Sequence, residues 1–151
     1  MKQWDTVDEI LDYAIEQEEE AANLYTDLAT RVDKPWVRKI FEAYAGEERE
    51  HKRKLLAIKE GKLLQSAPKD FVDLKIADYL IDTEPHASMG YRDALILAMK
   101  REKAAFKLYS DLAAVSGDPQ VKETLLNLAQ EEAKHKLRFE LEYDEAIQSA
   151  N

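Results

Sequence analysis

Two Glu-x-x-His sequences are the part of this chain best suited to chemistry. They are Glu48 with His51 and Glu132 with His135. Residues three apart share a face of a helix, so each pair can present a carboxylate and an imidazole side by side. A further glutamate precedes each pair by 30 residues, at Glu18 and Glu102. A mixed set of oxygen and nitrogen donors suits iron or manganese better than a thiolate-seeking metal. Four Glu and two His at one level of a helix bundle would form a site for two metal ions.

The surrounding sequence has the pattern of four amphipathic helices that would position these groups. Apolar residues spaced alternately four and three apart form one stripe in each of the segments 7–28, 37–58, 91–112 and 121–139. That spacing places one face of each helix against its neighbours. Each stripe is apolar except near its middle, where a Glu or a Glu-x-x-His pair interrupts it. The pattern predicts an all-α four-helix bundle with six ionisable residues in its core.

The cost of burying these groups favours a bound metal. An unpaired buried carboxylate costs several kcal/mol even after relaxation, and four would offset a domain's whole stability of about 5–15 kcal/mol. Two divalent cations would neutralise the four carboxylates. The alternative is that the helical phase is misassigned and the groups face solvent. Glu19 and Glu20 adjoin Glu18, so the choice among these three rests on phase alone.

The two halves of the chain repeat each other at an offset of 84 residues. Glu18 corresponds to Glu102, and Leu24-Tyr25-Thr26-Asp27-Leu28-Ala29 corresponds to Leu108-Tyr109-Ser110-Asp111-Leu112-Ala113. Both Glu-x-x-His pairs obey the same offset. Such internal repetition decides the architecture. Each half is predicted to be a helical hairpin, and two hairpins facing each other supply their ligands around a pseudo-two-fold axis. One carboxylate of each Glu-x-x-His pair can then bridge the two ions.

Tyr25 and Tyr109 are candidates for supporting the site. Each lies two helical turns beyond Glu18 or Glu102 on the same stripe. Because a buried tyrosine hydroxyl usually finds a partner, each could hydrogen-bond to a ligand carboxylate. The equally simple alternative is that both are ordinary aromatic core residues.

Capping signals give the helix boundaries. Thr6-Val7-Asp8-Glu9 has the spacing of a capping box. Pro35 and Pro119 suit first helical turns, and Asp118 suits a cap. We expect a single domain over residues 1–151, with a hairpin at 6–60, a crossover at 61–88 and a hairpin at 89–147. Neighbouring antiparallel helices need only ~2–8 linking residues, so this long connection predicts a crossover along the bundle. A short helix is expected near 73–81.

Composition excludes several classes of function. The net charge of −9 argues against binding nucleic acid or an anionic membrane through general electrostatics. No apolar run approaches the ~20 residues of a membrane span, and no secretory signal is evident at the N-terminus. The absence of cysteine excludes disulfides, thiolate zinc sites and iron–sulfur clusters within these residues. It also accords with a cytoplasmic location.

These motifs resemble those of the ferritin-like diiron carboxylate superfamily, and within it the rubrerythrin family. The resemblance spans nearly the whole chain and depends on two matched sets, each with a Glu, a Tyr and a Glu-x-x-His. It implies a ferritin-like bundle with two iron ions, manganese or zinc being alternatives. The implied ligands are Glu18, Glu48, His51, Glu102, Glu132 and His135. Glu48 and Glu132 would be the bridging carboxylates.

The resemblance also implies an activity. A diiron protein of this type reduces hydrogen peroxide, or dioxygen, with electrons from an external donor such as a rubredoxin-type protein. It would serve under oxidative stress, and the family analogy suggests a homodimer. Two departures bear on this hypothesis. Full-length rubrerythrins carry a Cys-ligated rubredoxin domain, for which this sequence has no cysteine. Family members also often have a further Glu on helix 3, where this chain has Ala105.

Two other functions are compatible with the same residues. One is iron handling, by ferroxidation or storage, which predicts oxidation of many iron equivalents by dioxygen. The other is a non-catalytic metal-binding bundle whose role is to bind a partner.

Overall fold

The computed structural model describes residues 6–64, Tyr79 and residues 89–149. Within them are four long α-helices: α1 (Val7–Arg31), α2 (Pro35–Glu60), α3 (Tyr91–Val115) and α4 (Pro119–Ser149). The predicted all-α four-helix bundle is confirmed, and its helix boundaries agree with the predicted ones to within two residues. The predicted short helix at 73–81 lies outside the described residues, apart from Tyr79.

The helices begin where the local sequence satisfies their free amide groups. The Thr6 hydroxyl accepts a hydrogen bond from the Glu9 amide at 3.1 Å, so the predicted cap of α1 is present. Asp118 Oδ1 accepts hydrogen bonds from the amides of Gln120 and Val121 at 2.8 and 3.3 Å. Pro35 is the first residue of α2, where its fixed φ suits a helix and no amide is needed.

The chain is arranged as two hairpins, α1–α2 and α3–α4, which meet through α1 against α3 and through α2 against α4. Between α1 and α3, residue 18 lies opposite 109 and residue 25 opposite 102, so these helices are antiparallel. Since α1 is also antiparallel to α2, helices α2 and α3 run the same way. That arrangement requires the connection at 61–88 to cross along the bundle, as predicted.

A layer of polar side chains divides the core in two. On one side, Leu11, Leu55, Leu112 and Leu125 belong to one apolar cluster. On the other side, a second cluster is built around large residues such as Phe139. The layer between them, called the polar layer below, consists of Glu18, Glu48, His51, Glu102, Glu132 and His135. In the part of the chain that is described, no helix has both the length and the apolar character needed to cross a bilayer.

Candidate metal centre

All six residues predicted from the two motif sets lie inside the bundle. None of the six side chains of the polar layer is more than 2% exposed. The alternative in which they face solvent is therefore wrong. The adjacent Glu19 and Glu20 lie at the surface, with side chains 46% and 33% exposed. The apolar period of α1 thus turns Glu18 inward and leaves its neighbours near water.

The polar layer contains two overlapping groups of potential ligands. One consists of Glu18, Glu48, His51 and Glu132, and the other of Glu48, Glu102, Glu132 and His135. Within each group the ligand atoms lie within 4.8 Å of one another. Glu48 and Glu132 belong to both groups, which is the arrangement that two bridging carboxylates require. Each group also has one histidine and one glutamate of its own, so the two halves of the layer are equivalent.

Several atoms of the polar layer have no hydrogen-bond partner among the described residues. They are Oε2 of Glu18, Glu48 and Glu102, Oε1 of Glu132 and Nδ1 of His51. His51 Nδ1 lies 2.7 Å from Glu132 Oε1 and 3.4 Å from Glu18 Oε2, yet these contacts are not aligned as hydrogen bonds. A buried polar atom without a partner is costly, and lone pairs directed at a common point are suited to a cation. The donors present therefore fit a metal ion.

The crowding of buried charges in the polar layer shifts the pKa values of its side chains. Burial and the surrounding carboxylates raise the pKa values of Glu48 and Glu102 well above the ordinary 4.5. Burial lowers the pKa of His51, but the adjacent carboxylates of Glu132 and Glu18 raise it more, to about 11. Glu132 differs because His51 and Glu102 lower its pKa despite burial. In the metal-free protein, protons therefore occupy part of the layer and offset its negative charge.

Each histidine is oriented by a glutamate from the opposite hairpin. His135 Nε2 lies 2.7 Å from Glu47 Oε2, and His51 Nε2 contacts Glu131 Oε2. The Nδ1 atoms then face the polar layer, where His135 Nδ1 is 2.8 Å from Glu48 Oε1. A carboxylate behind a ligating histidine fixes the ring and makes it a stronger donor.

Glu47 and Glu131 were not among the candidate site residues predicted from the sequence, so their contacts with the histidines were missed. The signal was available, because both obey the 84-residue repeat and immediately precede the Glu-x-x-His pairs.

Tyr25 and Tyr109 connect the hairpins through the polar layer. The Tyr25 hydroxyl donates a hydrogen bond to Glu102 Oε1, and the Tyr109 hydroxyl donates one to Glu18 Oε1. Both tyrosines are fully buried, and burial together with the nearby carboxylates raises their pKa values well above 10. The hydroxyls therefore remain protonated donors at neutral pH. Each is more than a core aromatic, because it holds a carboxylate of the opposite hairpin in place.

A small cavity of about 20 Å³ opens onto the polar layer between α1 and α3. Its walls include Ala104 and Ala105 on α3, Gln17 on α1 and the buried Arg101. Tyr79, from the connection, also lines the cavity.

Two contacts hold Tyr79 in this position. Its carbonyl oxygen accepts a hydrogen bond from the Tyr13 hydroxyl at 3.0 Å, and its own hydroxyl donates to Asp111 Oδ2 at 2.8 Å. Sequence reasoning did not identify Arg101 or Tyr79, because neither lies in a recognisable motif.

Comparison with known proteins agrees with this geometry. A family model described as Rubrerythrin matches residues 9–143. No curated protein sequence matches the chain. A crystal structure from Thermotoga maritima, described as a ferritin-like diiron-carboxylate protein, has a TM-score of 0.76 at 20% identity, covering 97% of this chain and 99% of that one. A hypothetical protein from Pyrococcus furiosus has a TM-score of 0.71 at 22% identity, covering 92% of this chain and 89% of that one.

The two structural neighbours establish the fold, and the family model extends over most of the sequence, including all six residues of the polar layer. By that match, the chain belongs to the rubrerythrin family.

Proposed function

We propose that this protein binds two iron ions in its polar layer and reduces hydrogen peroxide there. The observation that carries the proposal is the pair of four-residue groups that share Glu48 and Glu132. In this assignment Glu18 and His51 would hold one ion, Glu102 and His135 would hold the other, and Glu48 and Glu132 would contribute to both. The unpartnered oxygen and nitrogen atoms of the layer supply the donors. Manganese and zinc would find the same donors.

Reduction of hydrogen peroxide consumes two electrons and two protons and yields two water molecules. Iron held by these residues would supply the two electrons through its ferrous and ferric states. These 151 residues contain no cysteine and therefore no rubredoxin-type centre, and in this proposal a donor outside them, such as a rubredoxin-type protein, returns the electrons. Dioxygen is the second oxidant that the site would accept.

The chain's own residues would hold the site in shape during this cycle. Glu47 and Glu131 fix the imidazole rings from behind. Tyr25 and Tyr109 each hold one oxygen of Glu102 or Glu18, which leaves the other oxygen directed into the layer. The apolar clusters above and below exclude water from the layer. The cavity between α1 and α3 provides the space for a small oxidant.

The test begins with elemental analysis of the purified protein, where about two iron ions per chain are expected. The ferrous protein is then mixed with peroxide, and separately with dioxygen, under stopped-flow absorption. We expect the absorption of an oxo-bridged ferric pair to appear faster with peroxide, and repeated turnover when reduced rubredoxin is supplied.

Three results would contradict parts of the proposal. Oxidation of many iron equivalents by dioxygen would favour iron storage. A rapid reaction with peroxide that no reductant can repeat would leave a metal site without turnover. A metal content near zero after loading would remove the site itself.

A further inference from the structure

We propose that Arg101 makes the cavity between α1 and α3 a binding site for a small anion, the hydroperoxide ion that forms when hydrogen peroxide gives one proton to solvent water on binding. This inference rests on the proposed function, because the anion would lie beside the metal positions. Arg101 would then be a specificity-determining residue that selects a charged two-atom ligand.

The position and size of the cavity are the first support. It is lined by carboxylate-bearing residues of the polar layer and by Arg101. A volume of about 20 Å³ accommodates a water molecule or a ligand slightly larger. Ala105 and Ala21 both line it and occupy matching positions of the repeat, so small side chains from both hairpins keep this space open.

The geometry of Arg101 is the second support. The residue is only 5% exposed, although arginine is almost never fully buried without partners. One terminal nitrogen donates to Gln17 Oε1 at 2.7 Å, and the other lies 2.9 Å from Glu20 Oε2. Both contacts are with α1 and fix the plane of the guanidinium group. The Nε atom is buried and meets no acceptor within the described ranges, so one strong donor is available for a ligand.

The charge of the site is the third support. Two divalent cations would balance the four carboxylates of the polar layer, and Glu20 balances Arg101. The site loaded with a divalent pair is therefore close to neutral, and its carboxylates no longer repel a small anion. A donor from a charged group forms a stronger hydrogen bond than a neutral one, and in this proposal the Nε–H of Arg101, a residue that lines the cavity, is that donor.

The internal repeat shows that the fold itself does not require arginine here. The counterpart of Arg101 in the first half is Gln17, and the counterpart of Glu20 is Ala104. The two halves therefore differ at the cavity while they agree throughout the polar layer. A purely structural explanation remains testable, namely that Arg101 only clamps α3 to α1 through Gln17 and Glu20.

The experiment uses the zinc-loaded protein, which is diamagnetic and has no redox activity. Fluoride serves as the probe because it is a one-atom anion that accepts hydrogen bonds, and acetate serves as a bulkier anion of equal charge. Binding is measured by calorimetry and by the Nε–H signal of Arg101 in nitrogen-edited NMR spectra, assigned by its loss in R101Q. We expect fluoride to shift that signal and acetate to leave it unchanged.

Three variants separate the anion site from the clamp. R101Q, which installs the residue type of the first half, should weaken fluoride binding about tenfold, while zinc affinity stays equal or rises because a nearby positive charge is removed. E20Q retains Arg101 and removes its balancing charge, so fluoride should bind more tightly. R38Q is the matched control, because among the described residues Arg38 donates to the carbonyls of Ala29 and Val32, at 3.1 Å each, at the turn between α1 and α2.

Equal fluoride affinity in the wild-type protein and R101Q would show that Arg101 is only a clamp. Zinc binding without fluoride binding in the wild type would overturn this inference and leave the metal site intact. If the wild type bound no zinc, the metal site and the anion site would both be rejected. If R101Q failed to fold, E20Q would decide, since unchanged or weaker fluoride binding there contradicts the proposal.

Discussion

The polar layer has two different sides. The side between α2 and α4 orients the candidate metal ligands, and the side between α1 and α3 contains the cavity that a small ligand could enter. Between α2 and α4, two equivalent His–Glu contacts cross from one hairpin to the other. Between α1 and α3, the residues that line a cavity include four alanines, a glutamine and a buried arginine. The His–Glu contacts of the α2–α4 face obey the internal repeat, as do the Tyr–Glu contacts between α1 and α3. The α1–α3 face departs from the repeat beside the cavity, where Arg101 corresponds to Gln17. Symmetry is therefore retained where ligands must be fixed and is lost where a substrate would enter.

The largest expected effect comes from removing a carboxylate that both groups share. Glu48→Ala should reduce metal content from about two ions to one or fewer and abolish the reaction with peroxide, because each ion loses a ligand. Glu50→Ala is the matched control, since Glu50 lies on the same helix, is exposed and pairs with Arg53. Elemental analysis and stopped-flow absorption check both variants. Full metal content in Glu48→Ala would remove the basis for the bridging assignment.

Metal removal should make stability depend strongly on pH. Glu48 and Glu102 have raised pKa values in the folded protein, so they contribute less stability as pH rises above about 4.5. The stability from His51 is complete below 6.5 and is lost as pH rises toward about 11. Glu132 has a lowered pKa in the folded protein, so its contribution to stability is present above 4.5 and is lost only as pH falls below that value. The metal-free protein should therefore melt at a lower temperature at pH 8.5 than at pH 5.5.

The metal-loaded protein should show a much smaller change over the same range, because bound cations replace the protons. Differential scanning calorimetry of both forms at the two pH values checks this. A metal-free protein that is more stable at pH 8.5 would contradict the protonation pattern of the polar layer.

The symmetry of the α2–α4 face predicts matched effects on opposite hairpins. Glu47→Gln and Glu131→Gln should each weaken metal binding about tenfold, the lower end of the range for carboxylates behind ligating histidines. The two variants should agree within a few-fold, because their contacts are related by the repeat. Competitive titration with a metal chelator measures both, and E20Q on the other face is the comparison. A large effect of only one variant would show that the two halves are functionally unequal.

The smallest effects are expected from the tyrosines. Tyr25→Phe and Tyr109→Phe each remove one hydrogen bond to a carboxylate but keep the ring in the core. Metal affinity should fall a few-fold, and stability by about 1 kcal/mol. Chemical denaturation and chelator titration give the two quantities. Unchanged metal affinity in both variants would show that the tyrosines have only a structural role.

Much of the site was predictable because helical periodicity and the internal repeat independently select the same residues as inward-facing. The stripe of α1 selects Glu18 over Glu19 and Glu20, and the structure buries the first and leaves the others near water. Arg101 was not predictable in the same way. Its position next to Glu102 gives no signal of burial, and its burial depends on Gln17 and Glu20 from another helix.

By itself the sequence determined the four helices, their hairpin pairing, their caps and the six residues of the polar layer. These features follow from local periodicity, from capping chemistry and from a repeat with a constant offset of 84 residues. Only the tertiary structure decided that Glu47 and Glu131 contact the histidines, that Tyr79 lies beside the cavity and that the buried Arg101 lines it. Each of those contacts joins residues from different helices or from the connection, and the distance between such residues depends on how the helices pack.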